Sequence, residues 1–133
     1  MTSTVIDGVM LAVIDLMNDT QPFAPVTRGA LGAGNSIVCE IGPTGADAVF
    51  MDKNSLIPLD VTLNGKHSDL ETLSLSLNTI FSALTRAKQY PSGNGWEIYD
   101  ITVGTLPQII GREENEGWIM AGSLNVKFYW KGD

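Results

Sequence analysis

Trp118-Ile119-Met120-Ala121-Gly122-Ser123-Leu124-Asn125-Val126-Lys127-Phe128-Tyr129-Trp130 alternates throughout its length. Trp118, Met120, Leu124, Val126, Phe128 and Trp130 fall on one side, and Ile119, Ser123, Asn125, Lys127 and Tyr129 on the other. Successive side chains of a strand point to opposite faces, so this is a long strand with one face in a core. The stretch before it, Trp96 to Val103, sets Trp96, Ile98, Asp100 and Thr102 against Glu97, Tyr99, Ile101 and Val103. Its large apolar residues change side partway along, which predicts a bulge that switches the buried face. Between the two strands, Gly104 to Gly117 carries Pro107, Gly111 and the acidic run Arg112-Glu113-Glu114-Asn115-Glu116, and reads as a connecting loop.

Upstream, Leu70, Leu73, Leu77, Ile80, Phe81 and Leu84 recur at helical spacing behind Ser68-Asp69-Leu70-Glu71, which has the form of a capping box. Arg86 and Lys88 suit the negative end of that helix, and Pro91-Ser92-Gly93-Asn94-Gly95 breaks it. Ile57, Leu59, Val61 and Leu63 alternate with Pro58, Asp60 and Thr62, a strand that Pro58 places at an edge or a strand start and that Gly65 ends. The apolar runs 36–41 and 48–52 flank Gly42-Pro43-Thr44-Gly45 and read as a hairpin. Val5, Ile6, Val9, Met10, Val13, Ile14 and Met17 form one helical stripe, with Ser3 or Thr4 as cap and Asp7 near the positive end of the dipole. Asn18-Asp19 stops this helix, and 21–35, with Pro22, Pro25 and three glycines, reads as a loop or mobile arm. The order is α-β-β-β-α-β-β: an α+β chain with one antiparallel or mixed sheet and both helices on one face.

With 133 residues the chain has room for a single domain, 1–133, large enough to sustain its own core. The net charge of −7 and only eight scattered Lys and Arg argue against a grip on a phosphate backbone. The single cysteine, Cys39, lies in an apolar run and reads as a small buried hydrophobe. The N-terminal stretch has no basic region and is broken by Asp7 and Asp15, so it reads as neither a signal peptide nor a membrane span, and a reducing cytoplasm is the expected site of synthesis.

Residues with chemistry are few. His67 beside Asp69 is the one acid–base pair, and it reads as polar residues preceding a helix. Gly29-Ala30-Leu31-Gly32-Ala33-Gly34 lacks the Gly-Lys-Ser/Thr ending of a phosphate loop. Glu113, Glu114 and Glu116 lack the ligand alternation of a calcium loop. No catalytic, cofactor-binding or metal-ligating residue is expected, and the chain reads as non-enzymatic. Trp96, Trp118 and Trp130 read as core packing at the ends of strands, with an interface as the alternative.

Val61-Thr62-Leu63-Asn64-Gly65-Lys66, the leucine-rich helix ending at Lys88-Gln89-Tyr90-Pro91, Gly95-Trp96-Glu97-Ile98, Ile109-Ile110-Gly111-Arg112-Glu113-Glu114 and 118–129 together resemble the minor capsid family of long-tailed phages whose members act as tail terminators. The likeness covers the second half well and the first sixty residues by topology only. It implies a virion protein that forms a ring, usually a hexamer, on the head-proximal end of the tail. Such a ring stops growth of the tail tube and offers a surface to a head-completion or connector protein, while DNA passes through the lumen without specific binding. Assembly in the host cytoplasm and no membrane partner go with it. The expected contact residues are Arg112, Glu113, Glu114 and Glu116 on the 104–117 loop and Arg28 on the 21–35 arm. The alternatives are another head–tail connector, a tail tube component, or a small-ligand-binding α+β domain whose pocket would collect His67, Asp60 and the acidic loop.

Overall fold

Met120, Leu124, Val126, Phe128 and Trp130 are buried, while Ile119, Ser123, Asn125, Lys127 and Tyr129 on the other face are half-buried or exposed. They lie on the strand Gly117–Trp130, in a computed structural model that describes residues 3–32, 34–41, 55–113 and 117–130. In chain order the elements are α1 (Ser3–Asn18), β1 (Val26–Arg28), β2 (Ser36–Ile41), β3 (Ser55–His67), α2 (Leu70–Thr85), β4 (Ser92–Gly93), β5 (Trp96–Glu113) and β6 (Gly117–Trp130). The sheet runs β1-β2-β3-β6-β5-β4. β1 pairs with β2 in parallel and every other neighbouring pair is antiparallel, so the sheet is mixed. The α+β class and the helix and strand order expected from the sequence are those observed.

Both helices cover one face of the sheet. Val9, Met10, Val13 and Met17 of α1 and Leu73, Leu77, Ile80, Phe81 and Leu84 of α2 join Leu59, Val61, Leu63, Leu124, Val126 and Phe128 in a single core. Each fully buried side chain of this kind contributes about 1.5–3 kcal/mol relative to exposure. Gly8 costs α1 some helix propensity but gives room to Trp96, whose indole Nε1 lies 3.1 Å from where a Cβ would stand. Trp96 pairs in register with Trp130, and both are buried at the end of the sheet.

Gly65 does not end β3. It pairs with Ile37 and Met120, and the strand continues to His67. A Cβ at Gly65 would stand 2.8 Å from Leu73 Cδ1, so the missing side chain lets α2 lie close to the sheet. Pro58 sits neither at an edge nor at the first residue of a strand but within β3, where it pairs with Lys127 of β6. The N-cap of α2 is Asp69 rather than Ser68; its carboxylate takes the Thr72 hydroxyl at 2.6 Å instead of a backbone amide, so the expected capping box does not form. Asp7 lies past the first turn of α1 and binds Arg28 instead of answering the helix dipole.

The 21–35 segment is not wholly irregular, because β1 lies within it. The Asn18 side chain accepts the Val26 N–H at 2.8 Å, tying the end of α1 to the start of β1. Nor is 104–113 a loop: it belongs to β5, which runs to Glu113, and β6 begins at Gly117. Bulges absorb Gly104, Pro107 and Ile110, with register shifts between Val103 and Thr105, Thr105 and Gln108, and Ile109 and Gly111. The expected switch of buried face occurs at the shift between Ile98 and Asp100, so that Ile98 and Ile101 are both buried. The strand expected at 48–52 lies outside the described residues.

Candidate interaction surface

β4 covers only Trp96 and Glu97 of β5, and among the described residues no strand pairs with the outer side of β5 beyond that point. The sequence from Ile101 to Gly111 holds no charged residue. Val103 is 39% exposed, Leu106 62%, Ile109 51% and Ile110 62%. Edge strands are usually blunted by charge, by proline or by bulges. Here Pro107 and the bulges distort the edge, but no charge guards it, and the apolar side chains stand in solvent. Exposed apolar side chains grouped along one strand are the kind of surface through which proteins make contacts.

At the far end of the hairpin the Arg112 guanidinium lies over the Trp118 ring, 4.9 Å from its centroid. Next to it, Glu113 Oε2 is 3.3 Å from Lys66 Nζ, and the Lys66 side chain is only 2% exposed. Glu113 is therefore engaged by its own chain, whereas the exposed Arg112 keeps its charge at the surface. Glu114 and Glu116 lie outside the described residues. Arg28 closes the other edge of the sheet, bonded to Asp7 at 3.1 Å and to Glu40 at 3.4 Å. The hydrogen bond to Asp7 leads in raising its pKa. That cation is occupied in holding β1 to α1 and β2.

Leu75 of α2 is 71% exposed and Leu11 of α1 is 62% exposed. Both stand apart from the buried stripes. Leu75 lines an open groove with Asp69, Glu71, Thr72, Ser74 and Asn78. A second depression beside it is formed with Thr20, Gln21 and Pro22, which lead into β1. Asp69 is held below the usual carboxylate range, chiefly by the Thr72 hydroxyl, so it carries charge at neutral pH. Neither leucine was among the residues singled out from the sequence. The signal was present, since Leu75 falls outside the spacing that places Leu73 and Leu77 in the core.

His67 and Asp60 are not brought together. His67 Nδ1 accepts the Asp69 N–H at 2.8 Å, and its ring stands edge-on to Phe23 with centroids 4.7 Å apart. Asp60 accepts a hydrogen bond from Asn125 Nδ2 at 2.8 Å, seven positions along β3 and on its opposite face. Among the described residues no group of three or more His, Cys, Asp or Glu is placed to hold a metal. The glycine-rich turn serves β1: Gly29 has φ 125° and donates its N–H to the Cys39 carbonyl at 3.2 Å. The face of the sheet away from the helices carries a shallow depression of about 400 Å³, lined by uncharged side chains such as Thr62, Asn64, Thr105, Gln108 and Ser123. No described helix is long and apolar enough to cross a membrane.

Fold and surface together define an α+β protein with a one-sided core and an uncharged, apolar strand at an open sheet edge. Compared with models of known protein families and with curated proteins, the sequence matches none.

Proposed function

We propose that the chain is a structural virion subunit, a tail terminator that assembles as a ring on the tail tube, stops its elongation and presents a surface for joining to the head. The observation that carries this reading is the far half of β5, where Val103, Leu106, Ile109 and Ile110 stand exposed along an uncharged sheet edge. A ring subunit acts by contact with like and unlike neighbours, and closure requires one surface to fit a different surface of the next copy. Of the segments that carry the resemblance to the minor capsid family, 61–66 lies in β3, the leucine-rich helix is α2, 96–98 and 109–113 lie in β5, and 118–129 lies in β6. The chemistry-bearing residues in view, His67, Asp60 and Glu113, are each satisfied by neighbours in the chain.

Mixing the purified chain with tail tube protein tests the proposal. Tubes should stop at a fixed length or acquire a ring at one end in electron micrographs. Tubes that elongate as freely with the chain as without it overturn it. Stacking of the pure chain into long tubes would favour a tube component instead.

A further inference from the structure

We infer that Asn94 is a site of spontaneous covalent modification: its side-chain amide is converted, through a cyclic imide with Gly95, to an aspartyl or isoaspartyl residue, and the isoaspartyl product opens the turn between β4 and β5. The chain holds two Asn-Gly pairs, Asn64-Gly65 and Asn94-Gly95. In such a pair the backbone nitrogen of the glycine attacks the side-chain carbonyl carbon of the asparagine, unshielded because glycine has no Cβ. The new N–C bond closes an imide ring, and the amide nitrogen leaves as ammonia, taking the proton of the glycine N–H. Water then opens the ring at one of its two carbonyls. One opening gives aspartate, and the other routes the main chain through the former side chain and gives isoaspartate. No redox partner is needed, and the chain gains one negative charge.

The fold separates the two pairs. Asn64 lies between Val38 and Ala121, and Gly65 between Ile37 and Met120, so both have strand neighbours on each side. Gly65 is also buried, with Leu73 of α2 close above it. Bringing its nitrogen to the Asn64 side chain requires opening the centre of the sheet. Asn94 and Gly95 instead form the two-residue connection between β4 and β5, across which Gly93 pairs with Trp96. Asn94 is exposed and Gly95 has φ 83°. β4 stands at the end of the sheet, and opening the turn breaks the pairs Ser92–Glu97 and Gly93–Trp96. Local opening of that size costs far less than global unfolding. The turn also carries its own reporter. The Trp96 indole packs against both Gly8 of α1 and Gly93 of β4, where a Cβ would meet the ring. Isoaspartate adds one carbon to the main chain of a connection whose length sets the register of the hairpin, so the pairing is lost and Trp96 gains solvent.

Ageing the full chain at mildly alkaline pH, followed by proteolysis and tandem mass spectrometry, tests the inference. Conversion at Asn94 should exceed that at Asn64 on the order of tenfold in the native chain, and the two should converge in denaturant. Tryptophan emission should shift to the red as the isoaspartyl product accumulates. Asn94→Gln, whose longer side chain closes the ring poorly, should abolish both the conversion and the shift while the circular dichroism stays that of the parent. Equal conversion at Asn64 and Asn94 in the native chain overturns the inference. So does an Asn94 that remains an amide over a period in which the denatured chain converts. Conversion with unchanged emission, or an equal shift in Asn94→Gln, overturns the opening of the turn.

Discussion

Lys66 Nζ lies 3.3 Å from Glu113 Oε2, although β6 runs between the strands that carry them. Lys66 pairs with Ile119 on β6, and Glu113 pairs with Gly117 on the same strand, so the lysine stem crosses the sheet to reach the tip of the hairpin. The lysine is buried and the glutamate is about half exposed. Removing Lys66 therefore loses packing as well as charge. Lys66→Ala should cost about 2–3 kcal/mol in chemical denaturation, whereas Glu113→Gln should cost under about 1 kcal/mol because solvent screens its side of the pair. Equal losses from the two variants would contradict this account.

Gly122 lies beside Leu63 on the core face, and a Cβ there would stand 2.8 Å from Phe81 Cζ, 2.9 Å from the Thr105 carbonyl oxygen and 3.0 Å from the Pro107 nitrogen. Two of those neighbours are backbone and cannot swing aside. At Gly65 the nearest atoms are the flexible ends of Leu73 and Leu77. Gly122→Ala should therefore destabilise by about 2–3 kcal/mol and Gly65→Ala by about 1–2 kcal/mol, measured as shifts in the unfolding midpoint. The order of the two effects is the critical outcome.

The same glycines explain where the sequence could be read and where it could not. Alternation in β6 and helical spacing in α2 report which side of an element is buried, so both elements and the one-sided core were legible. Gly65 looked like a strand end because a missing side chain reads alike whether it marks a turn or a close approach of a helix. From Gly104 to Glu113, three register shifts destroy the period-two pattern on which strand recognition depends. β1 is too short to show a period, and its place is set by Asn18, a tertiary contact that no local pattern encodes. Among the contact candidates, Arg112 is exposed and lies over Trp118, while Arg28 and Glu113 each make ion pairs within the chain.

Arg112 over Trp118 offers a spectroscopic readout of that tip. Arg112→Ala should uncover one face of the half-buried indole and shift its emission to the red. The accompanying loss of stability should be about 0.5–1 kcal/mol, as for a cation–π contact open to solvent. An unchanged spectrum would mean that Arg112 does not occupy the ring in solution.

Glu40 ties pH to the sheet edge. Its carboxylate accepts the Ile41 N–H at 3.0 Å, which leads in lowering its pKa from 4.5, with the Arg28 hydrogen bond adding to the shift. A carboxylate with a depressed folded-state pKa contributes stability above its unfolded value, and that contribution is lost as pH falls through the folded value. The chain should therefore lose stability below about pH 4.5, and Glu40→Gln should flatten that part of the profile while leaving the neutral range little changed. A wild-type slope retained in the variant would assign the acid sensitivity to other carboxylates.

Cys39 tests the integrity of the β1–β2–β3 edge directly. Its side chain is fully buried, it pairs with Arg28 on one side and Leu63 on the other, and burial pushes its thiol up to about 11. The thiolate is the reactive form, so the folded chain should resist a thiol-specific reagent at pH 8 and react at once in denaturant. Asn18→Ala removes the bond that anchors Val26 and should loosen β1, exposing the flank of β2. Its labelling rate at pH 8 should rise by about tenfold while the far-ultraviolet spectrum is unchanged, because local opening of an edge strand costs less than global unfolding. A rate equal to that of the parent would mean that β1 is held by its strand pairing with β2 and not by Asn18.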